Sequence, residues 1–156
     1  MSRPAPPAAV DGLPEALSHW PGYLLTFIAE RTGNRFERAL AAERIRTRHA
    51  SVLALIDAEG PMSQRALGRR LHIDKSPMVG VLDDLERLDY AERRRDDGDR
   101  RVQRIHLTAR GRDALRHALQ VAEDENARTF GALDDRERTL LHALLLRVAE
   151  TTAGIR

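Results

Sequence analysis

Between residues 63 and 107 the spacing of apolar side chains switches from a helical period to an alternating one, and few folds accommodate that switch. Ser63 can cap a short helix carrying Ala66, Leu67 and Leu71. Asp74 can cap a second helix, with Ser76 as the other candidate start. Pro77 is tolerated only in the first turn, where its missing N–H has no bond to lose. Met78, Val81, Leu82, Leu85 and Leu88 form the apolar stripe of this helix, leaving Lys75, Ser76, Val79, Gly80 and Asp83 on its other face. The period then changes. Ala91 to Arg95 is short and basic, and Asp96-Asp97-Gly98-Asp99 is turn chemistry. Val102 to Leu107 alternates, with Ile105 and Leu107 on one side and Arg104 and His106 on the other. Two short helices followed by a two-stranded hairpin make a winged helix-turn-helix.

Helical patterns flank this centre, so the expected fold is mainly α (α+β). Residues 1–13 are rich in Pro and Ala and read as a flexible tail. From about Pro14, Leu17, Trp20, Leu24, Ile28, Phe36 and Leu40 keep helical spacing. Gly22 and Gly33 interrupt it, which implies a kink or two abutting helices. His49, Val52, Leu53 and Ile56 form a second stripe that ends at Glu59-Gly60-Pro61. Thr108 can cap a long helix running to about Asn126. Asp134 with Glu137 is a capping-box signal for a last helix, whose buried stripe is Leu140, Leu141, Leu144, Leu145 and Val148.

Charge follows the same division. Residues 61–112 hold 13 basic and 9 acidic side chains, whereas 1–60 are balanced at 7 each and 113–156 hold 6 against 8. A basic middle between neutral and acidic flanks suits a polyanion. The chain has no cysteine, which excludes disulfides, thiolate metal sites, cysteine nucleophiles and thiol redox switches. No run approaches the roughly 18 apolar residues of a membrane span, and the first residues lack a signal-type apolar core. A cytoplasmic protein with no membrane association is the expectation. The histidines at 19, 49, 72, 106, 117 and 142 show no metal-ligand spacing. No phosphate-binding glycine loop or nucleophile elbow occurs. No enzyme, no catalytic residue, no metal and no cofactor are therefore expected.

The stretch from Met62 to Gly111 resembles the MarR family of bacterial transcription regulators. The resemblance is carried by Leu71-His72-Ile73-Asp74-Lys75-Ser76, by Leu82-Asp83-Asp84-Leu85-Glu86, by residues Glu92 to Arg101 with their Asp-Arg-Arg wing, and by Leu107-Thr108-Ala109-Arg110-Gly111. The flanking helices fit the family layout, so the likeness spans roughly residues 14 to 150. It implies a homodimer in which N- and C-terminal helices of two chains interlock. The chain then divides into the tail 1–13, an N-terminal dimerisation region 14–46, a winged helix-turn-helix 47–112 and C-terminal dimerisation helices 113–156. Trp20, Leu24, Phe27 and Ile28 can meet Leu140, Leu144, Leu145 and Val148 within the chain or across the two-fold axis.

The resemblance places Lys75, Ser76, Val79 and Gly80 where family members face double-stranded DNA. Lys75 and Ser76 can bond bases or phosphates, Val79 can touch a thymine methyl, and Gly80 lets the backbone approach closely. Relatives often carry polar or basic side chains where this chain has Val79 and Gly80, which shifts readout towards shape and the wing. Gly80 as a tolerated packing residue is the other reading. Arg100 and Arg101, with Arg94 and Arg95 at the base, suit a narrow minor groove, and the family pattern assigns Arg101 to it. Asp99 can hold that guanidinium, or belong to an ordinary turn. Ser63 and Gln64 open a helix whose N-terminus can bind phosphate. For a small anionic or aromatic effector, as family members often bind, the candidate lining residues are Trp20, Tyr23, Phe27, Arg31, Arg46 and His49. The alternative is a hydrogen-bonded core His49 and solvated arginines. The functional expectation is a sequence-specific, ligand-responsive repressor acting as a homodimer on a palindromic operator. A helical protein-interaction or dimerisation module that no longer reads DNA is the other reading.

Overall fold

The computed structural model describes residues 10–96, 98 and 101–153. Six helices and one hairpin follow in chain order: α1 (Pro21–Leu40), α2 (Thr47–Glu59), α3 (Gln64–Leu71), α4 (Lys75–Arg87), β1 (Ala91–Arg95), β2 (Gln103–Leu107), α5 (Ala109–Thr129) and α6 (Asp135–Ala153). The mainly helical winged architecture read from the sequence is what forms.

The first helix departs from expectation in two ways. It begins at Pro21, not near Pro14, and only a short 3-10 turn, Glu15–Leu17, precedes it. Inside a helix the Pro21 ring would clash with the carbonyl four residues back, so Pro21 can open a helix but not continue one. Neither Gly22 nor Gly33 breaks it, and α1 runs without interruption for 20 residues. Asp11 and Gly12 form a turn against this helix, and Arg31 Nη2 donates to the Asp11 carbonyl at 2.6 Å.

The core lies in the winged domain and where α1 and α5 meet it. Leu40, Ile45, Val52, Leu53, Leu67, Met78, Leu82, Leu85 and Ile105 are almost wholly buried. Ser63 caps α3 by accepting from Ala66 N–H at 3.3 Å. Asp74 occupies the corresponding position before α4, but its side chain makes no cap bond. Pro77 stands where the third helical N–H would be and so removes one of the two donors a cap residue uses.

The hairpin is antiparallel, with Ala91 opposite Leu107, Arg93 opposite Ile105 and Arg95 opposite Gln103. Ile105 and Leu107 point inward as the alternation requires. Ile105 N–H also reaches the Met62 carbonyl at 2.9 Å, which ties the wing to the segment before α3. Thr108 caps α5, accepting from Gly111 N–H at 3.0 Å and donating to the Asp89 carbonyl at 2.6 Å. Gly111 has a strict packing reason: a Cβ there would stand 1.8 Å from the Tyr90 carbonyl oxygen. That contact explains the glycine of the Leu-Thr-x-x-Gly segment.

Asp134 and Glu137 form the reciprocal box at the start of α6, with both bonds at 2.9 Å. The apolar stripe of α6 is not buried within the chain, contrary to the expectation. Leu140 is 61% exposed, and Leu144, Leu145 and Val148 also face outward. Trp20 and Ile28 of the N-terminal segment are exposed too. α1 packs chiefly along α5, where Arg35 Nε meets the buried Glu125 Oε2 at 2.8 Å and Arg35 Nη2 reaches Thr129. Intrachain packing therefore leaves both terminal stripes open.

Candidate nucleic-acid interface

α3 and α4 meet through a tight turn in which His72 takes a left-handed conformation, φ 51°. Between them opens a cleft of about 920 Å3 bordered by Gln64, Arg65, Arg69, His72, Asp74 and Lys75. The α4 stripe turns Met78, Val81, Leu82 and Leu85 into the core. The opposite face presents Lys75, Ser76, Val79 and Gly80 to solvent. Val79 is 36% exposed, an aliphatic side chain on an otherwise polar face. A Cβ at Gly80 would meet nothing within 4 Å, so no intrachain packing requires glycine there. Of the expected helix residues Gln64 and Lys75 border this cleft, while Ser76, Val79 and Gly80 lie on the exposed face of α4 that continues from Lys75. Ser63 accepts its cap bond, and its hydroxyl proton remains available to a phosphate oxygen.

The wing carries exposed Arg94, Arg95 and Arg101. Arg94 pairs with the neighbouring Glu92, whose carboxylate holds the guanidinium pKa above its ordinary value. Arg101 lies in the turn leading into β2. Asp99 and Arg100, the other two wing-tip residues expected from the sequence, lie outside the described residues. The acid that organises the described part of the tip is Asp96, which the sequence reading treated only as turn chemistry. Its Oδ1 accepts from Gly98 N–H at 3.0 Å, its Oδ2 pairs with Arg104, and its own N–H donates to the Val102 carbonyl at 2.9 Å. Arg104 also donates to the Pro61 carbonyl at 3.2 Å, so it is spent on holding the hairpin.

A second unforeseen feature joins wing and helix. Arg93 pairs with Glu86 and, at 2.8 Å, with Asp83, both on α4. Opposite charges on successive elements are the only sequence signal for it, and they do not say which pairs form.

The expected effector residues separate into two groups. Tyr23, Phe27 and Arg31 share one face of α1. The two rings stack at 6.4 Å, and the Arg31 guanidinium lies 4.6 Å over the Phe27 ring. Trp20 is exposed and meets the His19 ring edge-on, at 5.7 Å. Arg46 and His49 sit at the start of α2, and Phe27 to Leu40 alone spans about 20 Å of helix axis. His49 is buried and occupied. Its Nδ1 accepts from the Arg46 backbone N–H at 3.0 Å. Its Nε2 lies 3.4 Å from Asp84 Oδ2 on α4, too far off line for a hydrogen bond. Burial lowers the His49 pKa, and Asp84 offsets only part of that, so the ring is neutral at pH 7. His49 therefore packs α2 against α4.

Among the described residues no group of His, Asp and Glu is placed to hold a metal ion, and no helix is long and apolar enough to cross a membrane.

Known proteins share this arrangement. Residues 45–102 match the model of the MarR family. The chain is 24% identical over 153 residues, 97% of each protein, to the HTH-type transcriptional repressor NicR of Pseudomonas putida. The PcaV transcriptional regulator of Streptomyces coelicolor, solved in complex with its natural ligand, superimposes with a TM-score of 0.73. It is 26% identical, covering 93% of this chain and 99% of that one. BpsR of Bordetella bronchiseptica, whose DNA binding is regulated by 6-hydroxynicotinic acid, gives a TM-score of 0.74 at 25% identity, covering 85% and 94%. With the helix-turn-helix and the first strand of the wing inside the matched stretch, residues 45–102 form a MarR-family domain.

Proposed function

We propose that this chain is a cytoplasmic, non-enzymatic transcription repressor that binds a near-palindromic operator as a homodimer. The observation that carries the reading is the pairing of an open α4 face, Lys75-Ser76-Val79-Gly80, with an adjoining hairpin that presents Arg94, Arg95 and Arg101. A helix of this width fits the major groove, and arginines on a ribbon fit the narrow minor groove beside it. Ser63 and Gln64 fix the register through phosphate. Asp99 and Arg100 are assigned to the wing tip on the family pattern.

Dimerisation gives the exposed stripes of α1 and α6 a partner. Exposed Leu140, Leu144, Leu145 and Val148 form a contiguous apolar face that water does not favour. A two-fold axis through that face sets the two α4 helices about one helical turn, ~34 Å, apart on the duplex.

The effector, in this reading, is a small aromatic carboxylate. BpsR, whose DNA binding is regulated by 6-hydroxynicotinic acid, supplies the analogy, and Tyr23, Phe27 and Arg31 supply stacked rings beside a guanidinium. Trp20, Arg46 and His49 complete the candidate lining only if the partner subunit brings the two groups together.

Gel retardation on the region upstream of its own gene tests the reading. Specific retardation that weakens steeply with salt and is lost in Arg101→Ala is expected. Binding to no duplex, or binding indifferent to salt, would contradict it.

A further inference from the structure

The contact between β1 and α4 has a role that neither cation counting nor the family pattern assigns. We propose that Arg93 is a positioning residue, which clamps the wing to the recognition helix through Glu86 and Asp83 and so fixes the angle at which the two meet DNA. The proposal rests on the DNA-binding reading above.

Three bonds make the clamp. The Arg93 backbone N–H donates to Glu86 Oε1 at 3.0 Å, Nη1 donates to Glu86 Oε2, and Nη2 donates to Asp83 Oδ1 at 2.8 Å. The guanidinium spans two carboxylates one helical turn apart, a fork that an ammonium cannot reproduce. Its side chain is 22% exposed, against 60% for the neighbouring Arg94. Arg93 faces Ile105 across the hairpin, and Ile105 N–H is bonded to the Met62 carbonyl. The same rung of the wing is thus held on one edge by α4 and on the other by the segment before α3.

The clamp has a second, electrostatic consequence. Asp83 continues the exposed face of Ser76, Val79 and Gly80. A bare carboxylate there would repel phosphate, and the Arg93 guanidinium offsets it. Arg93 therefore supports DNA binding without reaching the duplex.

If Arg93 were another phosphate-seeking cation, neutralising Glu86 would free it and tighten binding. If Arg93 positions the wing, the same change loosens the clamp and weakens binding although the protein becomes more positive. The experiment is fluorescence anisotropy of the full-length protein on its own upstream duplex and on a random-sequence duplex. On the upstream duplex, Glu86→Gln is expected to weaken binding about fivefold and Arg93→Ala about tenfold or more, for loss of charge-assisted bonds. The double variant is expected to bind no more weakly than Arg93→Ala alone, and Arg93→Lys to recover only part. On the random duplex, where charge alone governs, Glu86→Gln is expected to bind slightly more tightly. Tighter or unchanged binding of Glu86→Gln to the upstream duplex, or additive losses in the double variant, would overturn the proposal.

Amide hydrogen exchange of the free protein reads the clamp without DNA. Residues 91–107 should exchange faster in Glu86→Gln and Arg93→Ala while α5 keeps its protection. Unchanged hairpin exchange would overturn the clamp however the duplex behaves. Failure of the wild-type protein to bind any duplex would instead sink the regulator reading, with the clamp still decided by exchange.

Discussion

Replacing Gly80 by alanine should move stability and DNA affinity in opposite directions. Gly80 lies inside α4, five residues past its start at Lys75 and seven before its end at Arg87. The added methyl would meet nothing within 4 Å, so no packing cost arises in the free chain. What remains is the backbone entropy that glycine loses on entering a helix, about 1 kcal/mol relative to alanine. For a chain of 156 residues that is a rise in melting temperature of about 2–4 °C per kcal/mol. Urea denaturation at fixed protein concentration measures the gain, because a dimer's midpoint depends on concentration. On DNA the methyl would hold α4 away from the groove floor and lengthen the bonds from Lys75 and Ser76. Losing one good base contact costs about 1–3 kcal/mol, so affinity for the operator should fall about fivefold or more. A loss of stability would refute the packing argument. Unchanged or tighter binding would refute close approach of the backbone at Gly80.

Other expected outcomes follow from separate observations. Gly111→Ala should destabilise by about 1–3 kcal/mol or more, read by denaturation, because its methyl collides with the Tyr90 carbonyl. His49 has a pKa below its ordinary 6.5, so the folded state holds fewer protons there than the unfolded state as pH falls. Its contribution is present above pH 6.5 and is lost as the pH drops through its lowered value; thermal melts from pH 8 to 5 should show this, and His49→Gln should flatten the slope. Leu144→Arg should convert a dimer to monomers in sedimentation velocity and abolish operator binding, since it sets charges on the open α6 face. Retention of the dimer would move the interface elsewhere.

What could be read from the sequence was what depends on neighbours along the chain. The α4 stripe, the hairpin alternation, the Thr108 cap and the Asp134–Glu137 box need only a few consecutive residues, and all four formed. The start of α1 was misplaced because Leu17 and Trp20 keep helical spacing although Pro21 forbids continuation. The α6 stripe is exposed within the chain although its pattern reads as buried, because periodicity shows which face is apolar but not what covers it. The clamp of Arg93 on Asp83 and Glu86 was hidden among many alternatives: with 26 basic and 24 acidic residues, tertiary packing alone selects the pairs. For the same reason His49 drew attention as a ligand candidate, while its buried contact with Asp84 depends on how α2 and α4 cross.

Hydroxyl-radical footprinting of the operator by wild-type protein and Arg101→Ala tests the DNA-binding surface most directly. The account predicts two protected tracts one helical turn apart, each flanked by a minor-groove protection that disappears in the variant. Protection that is absent, or identical in the two proteins, would contradict it.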